Sequence, residues 1–449
     1  MKHDTIHVFT SAQNDTPVNS DFLASLELYC NVRGAALSII PIRYANPSAF
    51  KRSVEDTWDK RIVPYMMDTV VDFGMFKVLG DLKIQATTLS PLNGLEPLTQ
   101  GKTTIVAHGQ IQLKSCPRLK DDPPIVLTTT GSITENNYSE TRVGYIADFN
   151  HSLGAVIVEQ DEDCFHLRHI SAADDGSFID LDVKYSGNAI EYVRPEALVL
   201  GDEHAWFADD GVAMATHWSG SSMVKELNPK VLVRHDIFDA YSVSHHHENN
   251  FFVKYKKLES GMTLERELVN CENYIASTTP LGTKSVIVGS NHNSHLMKWL
   301  QEPRSALDIA NARMHSKLKS MVLENYHDTG KMEDAFTLYM KKQLSDMPNV
   351  EFIGDQSYKI AGIEIALHGD AGPNGARGSA KGLSRLAHKS VIGHSHSPCI
   401  EKGCYQVGTS TGLNLEYAKG PTSWTNTHCL IHENGKRQLV TIINGKWRL

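Results

Sequence analysis

At 449 residues, 41% hydrophobic and 21% charged, the chain is long enough for two or three domains with cores of their own. It has no run near the roughly 20 apolar residues that a membrane-spanning helix needs, and its formal charge of −8 excludes a uniformly basic nucleic-acid coat while leaving room for a local basic groove. Seven scattered cysteines make a poor disulfide framework, and the opening MKHDTIHVFTSAQND lacks an apolar signal core, so a cytoplasmic, membrane-free protein is expected.

In chain order, residues 5 to 42 read as strand, helix, strand: IHVFT, an amphipathic DFLASLELYCNV, then AALSIIPI after the Arg33-Gly34 break. From about 75 to 170, short β-type runs (FKVLGDLKI, TTIVAHGQIQL, PIVLTTTGSI, GAVIVEQ, CFHLRHI) are separated by Gly, Pro, Asn and Asp. These elements predict an accessory domain over residues 1–190, α/β at its start and β-rich after, and a second domain over 191–449. In the second, ALVLGDEHAW, VLVRHDIFDAY, SVIVGSNHNSH, IEIALHGDAG and KSVIGHSHSP share one design: an apolar strand that delivers polar residues at its carboxyl end. Helices are expected over 304–322 and 331–346, and closing strands in CYQVGTSTG, THCLIH and QLVTIING.

The 22 histidines concentrate at those strand ends, beside Asp, Asn and Gly. The order is Asp202-x-His204, His235-Asp236-x-x-Asp239, Ser290-Asn291-His292-Asn293, the His368 of LHGD, and the His394 and His396 of GHSH. Any one of these is weak; five in sequence, each after a strand, are specific. The set supplies carboxylate and amide oxygens with imidazole nitrogens and no thiolate, the donors that two hard or borderline divalent ions take.

The ordered set resembles the calcineurin-like metallophosphoesterase superfamily, with the pattern DxH, GDxxD, GNH(D/E), H, GHxH, over roughly residues 195 to 410. Within it, the chain is most similar to the SbcD-type DNA nucleases and the pre-early host-DNA-degrading nucleases of large siphophages. The resemblance implies an α/β fold in which two packed sheets are flanked by helices. It implies two divalent ions, Mn2+ first and Mg2+, Fe2+ or Zn2+ as alternatives. Asp202, His204, Asp236 and His396 would hold one ion; Asp236, Asn291, His368 and His394 would hold the other, with Asp236 shared. His292 takes the general-acid position, with Asp239 orienting its ring. The implied activity is metal-dependent hydrolysis of a phosphodiester, with DNA as substrate, in the host cytoplasm if the chain is phage-encoded. Self-association is left open.

The sequence departs from the pattern at His235, where Gly is usual, and at Ser290 and Asn293; neither change removes a ligand. Arg377, in the glycine-rich GDAGPNGARGS, is the candidate for a substrate phosphate. Asp370 reads as a residue behind the ligands, His245, His246 and His247 as a solvated loop, and His295 and His315 as ordinary helical residues. Two rivals stand beside the nuclease: a small-molecule phosphatase or cyclic-nucleotide diesterase using the same site, and a non-enzymatic scaffold on a degenerate fold.

Overall fold

The computed structural model describes residues 5–44, 57–120, 122–245, 250–354, 356–415 and 419–448. Its centre is a pair of packed sheets. The first has six strands in the order Val350–Ile353, Lys284–Val288, Val231–Arg234, Ala197–Val199, Thr427–Ile431 and Arg437–Thr441. The first four are parallel, so the chain leaves Ala197–Val199, Val231–Arg234 and Lys284–Val288 on the same side of the sheet. These strands are short and buried on both faces, which is why they read as apolar runs without alternation.

The second sheet has ten strands. Lys359–Ile360, Ile363–Glu364, Ser390–Ile392, Cys404–Gln406 and Cys399–Glu401 form one half; Leu113–Cys116, Ile125–Thr129, Thr103–Val106, Phe76–Leu79 and Val70–Asp72 continue it. Val199, Val233, Val286 and Ile353 of the first sheet pack against Ile363, Val391, Ile400 and Tyr405 of the second, and this layer is the central core. On the outer face of the six-stranded sheet, helices Leu264–Thr278, Asn291–Gln301, Ala312–Thr329 and Ala335–Gln343 bury Leu268, Trp299, Leu318 and Phe336. The expected α/β sandwich with helical flanks is the architecture observed.

Antiparallel pairing of Leu113–Cys116 with Cys399–Glu401, Ile400 opposite Leu113, carries the ten-stranded sheet across the division expected at residue 190. The opening strand–helix–strand is as read: Thr5–Gln13, Ser20–Arg33 and Ala36–Ile42, the helix capped by the Asn19 side chain and closed by Gly34 at φ 65°. Its four-stranded sheet, completed by Gly154–Gln160 and Phe165–Ser171, buries Phe9, Ile40 and Val156 against Phe76 and Ile105 of the long sheet.

The helix expected over 304–322 starts later. Residues 303–311 form two short 3-10 turns, Pro303–Leu307 and Ile309–Asn311, and the α-helix is Ala312–Thr329. The cause is tertiary: the Asn311 side chain accepts from the Leu264 amide at 2.7 Å, which fixes that residue outside the helix. Helices Phe251–Ser260 and Leu264–Thr278 fill the interval between two motif strands, and Arg142–Asn150 lies within the region read as short β-type runs. Among the described residues, no helix is long and apolar enough to cross a membrane.

Candidate metal centre

Where the two sheets end together, the chain brings its polar motifs into one cluster. Asp202 and His204 follow Ala197–Val199, Asp236 follows Val231–Arg234, and Asn291 opens the helix after Lys284–Val288. From the second sheet, His368 follows Ile363–Glu364, while His394 and His396 follow Ser390–Ile392. His204, Asp236, His394 and His396 all have left-handed backbones, with φ of 40°, 51°, 75° and 58°. Each such non-glycine residue costs of order 1–3 kcal/mol, and such strain gathers at functional sites.

Asp236 is the hub. Its Oδ2 lies 3.4 Å from His368 Nε2, 3.5 Å from His292 Nε2 and 3.6 Å from His204 Nε2. Those separations are too long for good hydrogen bonds and close to the spacing of donor atoms around a shared ion. Asp202 Oδ2 is 3.1 Å from His396 Nε2 and accepts the His394 amide at 2.7 Å; His396 Nε2 is 3.0 Å from His204 Nε2. Candidate ligand atoms thus gather as Asp202, His204 and His396, as Asp202, Asp236 and His368, and as His204, Asp239 and His292. His394 joins through its ring, 5.3 Å from that of His368.

Several side-chain atoms of the cluster lack protein partners. Asp202 Oδ1, Asp236 Oδ1, Asn291 Oδ1 and both ring nitrogens of His368 are buried without a hydrogen bond. A buried carboxylate or amide oxygen left unpaired costs several kcal/mol unless a ligand meets it. Protonation follows the same logic. Burial works most strongly against charging His204 and His368, but the carboxylates around them together outweigh it, Asp236 with Asp239 and Asp202 at His204 and Asp236 with Asp202 and Asp370 at His368, and hold each at about 9. Burial alone would raise the Asp236 carboxyl, yet the imidazoles of His292, His368 and His204 keep it well below the usual carboxylate range. The cluster therefore demands positive charge, and oxygen and imidazole donors in this number fit divalent ions.

His292 Nδ1–H donates to the main-chain carbonyl of Asp239 at 2.5 Å, which turns Nε2 toward the centre. The Asp239 carboxylate is shared: Oδ1 is 3.1 Å from His204 Nδ1 and 3.4 Å from His292 Nδ1. Arg377 sits on an exposed loop bridged to Ala371, and among the described residues no contact joins it to the cluster. His295 is less ordinary than its sequence context implies, since its ring packs 5.2 Å from His292 and 5.3 Å from His245. His246 and His247 lie outside the described residues. The His235 ring lies 5.6 Å from that of His368, tilted 32° to it, and burial pushes its pKa down to about 4.

Several supports were not read from the sequence. Gly393 admits Asp202: a Cβ there would stand 2.2 Å from Asp202 Oδ1. The GTST segment clamps the same residue, with the Asp202 amide donating to the Gly408 carbonyl at 3.0 Å and Thr409 Oγ1 donating to the Asp202 carbonyl at 3.0 Å. The Trp424 ring lies 4.4 Å from that of His396. Beneath the centre, Arg234 donates to Glu203 at 2.8 and 2.7 Å, both side chains fully buried. Glu203 lies between Asp202 and His204, and Arg234 two residues before Asp236, so this fork ties two ligand-bearing strand ends. Arg234→Met should cost about 3–5 kcal/mol in urea unfolding by stranding the Glu203 charge, and adding Glu203→Gln should restore part of that. A single variant within about 1 kcal/mol of wild type would mean that the fork carries little.

No family model matches the chain. Protein A1 of Escherichia phage T5 is 30% identical over a 470-residue alignment that spans 100% of this chain and 83% of that protein. Among solved structures, a Vps29 double mutant from Entamoeba histolytica (12% identity, TM-score 0.22) is matched over 40% of this chain and 99% of its own. Vps29 from Chaetomium thermophilum (10% identity, TM-score 0.22) is matched over 42% and 97%. At such scores the two Vps29 likenesses carry no argument.

Proposed function

The chain belongs to the same family as protein A1 of Escherichia phage T5, and from that premise we propose that it is a two-metal phosphodiesterase that cleaves DNA, acting in the host cytoplasm. The observation that carries the metal-dependent chemistry is the set of inward-facing, partnerless oxygens and nitrogens of Asp202, Asp236, Asn291 and His368, joined by His204, His394 and His396. These residues would hold two divalent ions, with Asp236 placed to serve both. When bound, such ions activate water and stabilise the charge that builds on a phosphoryl group in flight. Mn2+ suits donors of this kind.

The chain's own residues supply the rest. His292, fixed through Nδ1 by the Asp239 carbonyl, presents Nε2 beside the centre, where it would give a proton to the leaving oxygen. Asp239 keeps both His292 and His204 in orientation. Two clefts that share Gly369 adjoin the cluster at His368 and His394. One, of about 450 Å3, is lined by His368, Gly369, Asp370 and His388. The other, of about 280 Å3, is lined by His394, Ser395, Ser379 and Lys114, the lysine coming from the continuation of the ten-stranded sheet. An extended substrate such as a polynucleotide would fill both clefts, which a compact metabolite would not. Arg377, on the rim loop between Gly369 and Ser379, would meet a phosphate beyond the scissile one.

Incubating the purified protein with plasmid, linear duplex, single-stranded oligonucleotide and bis(p-nitrophenyl) phosphate, with and without Mn2+, tests this reading. DNA and the chromogenic diester should both be cleaved with Mn2+, and a chelator should abolish both activities. Full turnover in excess chelator, with no metal found by elemental analysis, would remove the two-metal reading. Cleavage confined to small esters would turn the assignment to the phosphatase class.

A further inference from the structure

We propose that the helix Phe251–Ser260 is a platform for an unpaired DNA strand beside the metal centre, with bases stacking on Phe251, Phe252 and Tyr255 and Lys254 meeting the phosphates. The inference rests on the DNA reading above and adds to it the form of DNA that is bound and the surface that binds it.

The helix is turned out of the protein. Only Val253 is buried along it, while Phe251, Phe252, Tyr255 and Leu258 are 69, 64, 59 and 77% exposed. Four large apolar side chains on ten residues of one surface helix exceed the scattered exposure that any protein shows. The patch differs from an ordinary apolar docking face in what separates the rings. In FFVKYKK, exposed Lys254 stands among the aromatics, so the surface offers π-faces and a cation together. That pairing suits a single strand: stacking takes any base, and lysines follow the phosphates. The Phe251 and Phe252 ring centroids lie 4.1 Å apart with planes 31° from parallel, a partly stacked pair in which both rings remain largely exposed.

Its position favours a strand bound for catalysis over a remote partner. Val253 and Lys257 form the inner face. Lys257 Nζ sits 5.0 Å from the Tyr241 ring and donates to the Ser242 carbonyl at 3.3 Å. The Tyr241 ring packs 5.1 Å from Phe207, whose amide donates to the His204 carbonyl at 2.7 Å. The turn is held by Glu267, which accepts from the Tyr241 and Ser242 amides at 2.9 and 3.0 Å. A short packed path therefore joins the helix to a candidate metal ligand.

The test compares wild type with Phe252→Ala/Tyr255→Ala and with Lys254→Ala. Fluorescence polarisation reads binding of a labelled phosphorothioate oligo-dT, and kinetics compare a single-stranded oligonucleotide with bis(p-nitrophenyl) phosphate. Removing two stacked rings should weaken oligonucleotide binding about 100-fold, taking roughly tenfold for each, and raise KM on the oligonucleotide. The chromogenic diester should be hydrolysed at the wild-type rate, which also shows that the variant is folded. Lys254→Ala should lower the salt dependence of binding. If wild type cleaves single strands and the ring variant binds and cleaves them equally well, the platform is wrong and the nuclease reading stands. If wild type hydrolyses the diester but neither binds nor cleaves DNA, both fall. A changed sedimentation coefficient for the ring variant, with or without weaker DNA binding, would make the face an interface between copies of the chain and overturn the proposal.

Discussion

Asp236→Ala is expected to lose both metal ions and, with them, all measurable hydrolysis of DNA and of small diesters. Loss of a partner that merely orients a ligand costs about 10- to 100-fold in metal affinity or activity, and a ligand common to two ions should cost more. The geometry explains why this position stands apart. One carboxylate oxygen is 3.4 to 3.6 Å from the imidazoles of three motifs, and the other is buried without a partner. The φ of 51° adds backbone strain that the surrounding strands must hold in place. Without the carboxylate the neighbouring imidazoles can shed their protons, and the core of Val199, Val233, Val286 and Val391 is left intact, so the variant should fold. Asp236→Asn keeps the shape and removes the charge, and should also fail to hold both ions. Elemental analysis of the dialysed variants decides the matter: two ions per chain in Asp236→Ala would show that the ions are not shared there.

The strand ends that form the cluster were legible because short parallel strands buried on both faces leave apolar runs of fixed length, with polar residues only where the strand stops. Asp202, Asp236, Asn291, His368 and His396 stand out for that reason. What escaped depends on pairing at long range. Leu113–Cys116 and Cys399–Glu401 are more than 280 residues apart, and nothing local in either announces that they adjoin. Glu203 and Arg234 sit inside recognisable motifs yet read as filler, since a charge on a buried strand end is informative only once its partner is known. Nothing local marks Gly393; its function is the empty volume beside Asp202, which only the three-dimensional arrangement reveals. His295 was passed over because helical spacing from His292 is ordinary until both rings are seen against one another.

His292→Ala should keep both ions and lower the maximal rate on DNA by about 10² to 10⁴, the usual contribution of a positioned general acid. His292 Nε2 faces the Asp236 carboxylate at 3.5 Å, a distance at which a ligand role and a proton-donor role are both geometrically open, so metal content must be measured beside the rate. The leaving group then separates the two roles. A nitrophenolate departs without needing a proton, whereas the sugar oxygen of a DNA diester does not. If His292 donates a proton, its loss should be felt strongly on DNA and weakly on bis(p-nitrophenyl) phosphate. Asp239→Asn should be milder toward His292, because the bond that fixes Nδ1 runs to the main-chain carbonyl and survives the change. The same substitution also removes the carboxylate 3.1 Å from His204 Nδ1, so it should loosen metal binding where His292→Ala does not. Equal losses on both substrates for His292→Ala, or departure of an ion, would assign that imidazole to holding the centre together and place the proton donor elsewhere.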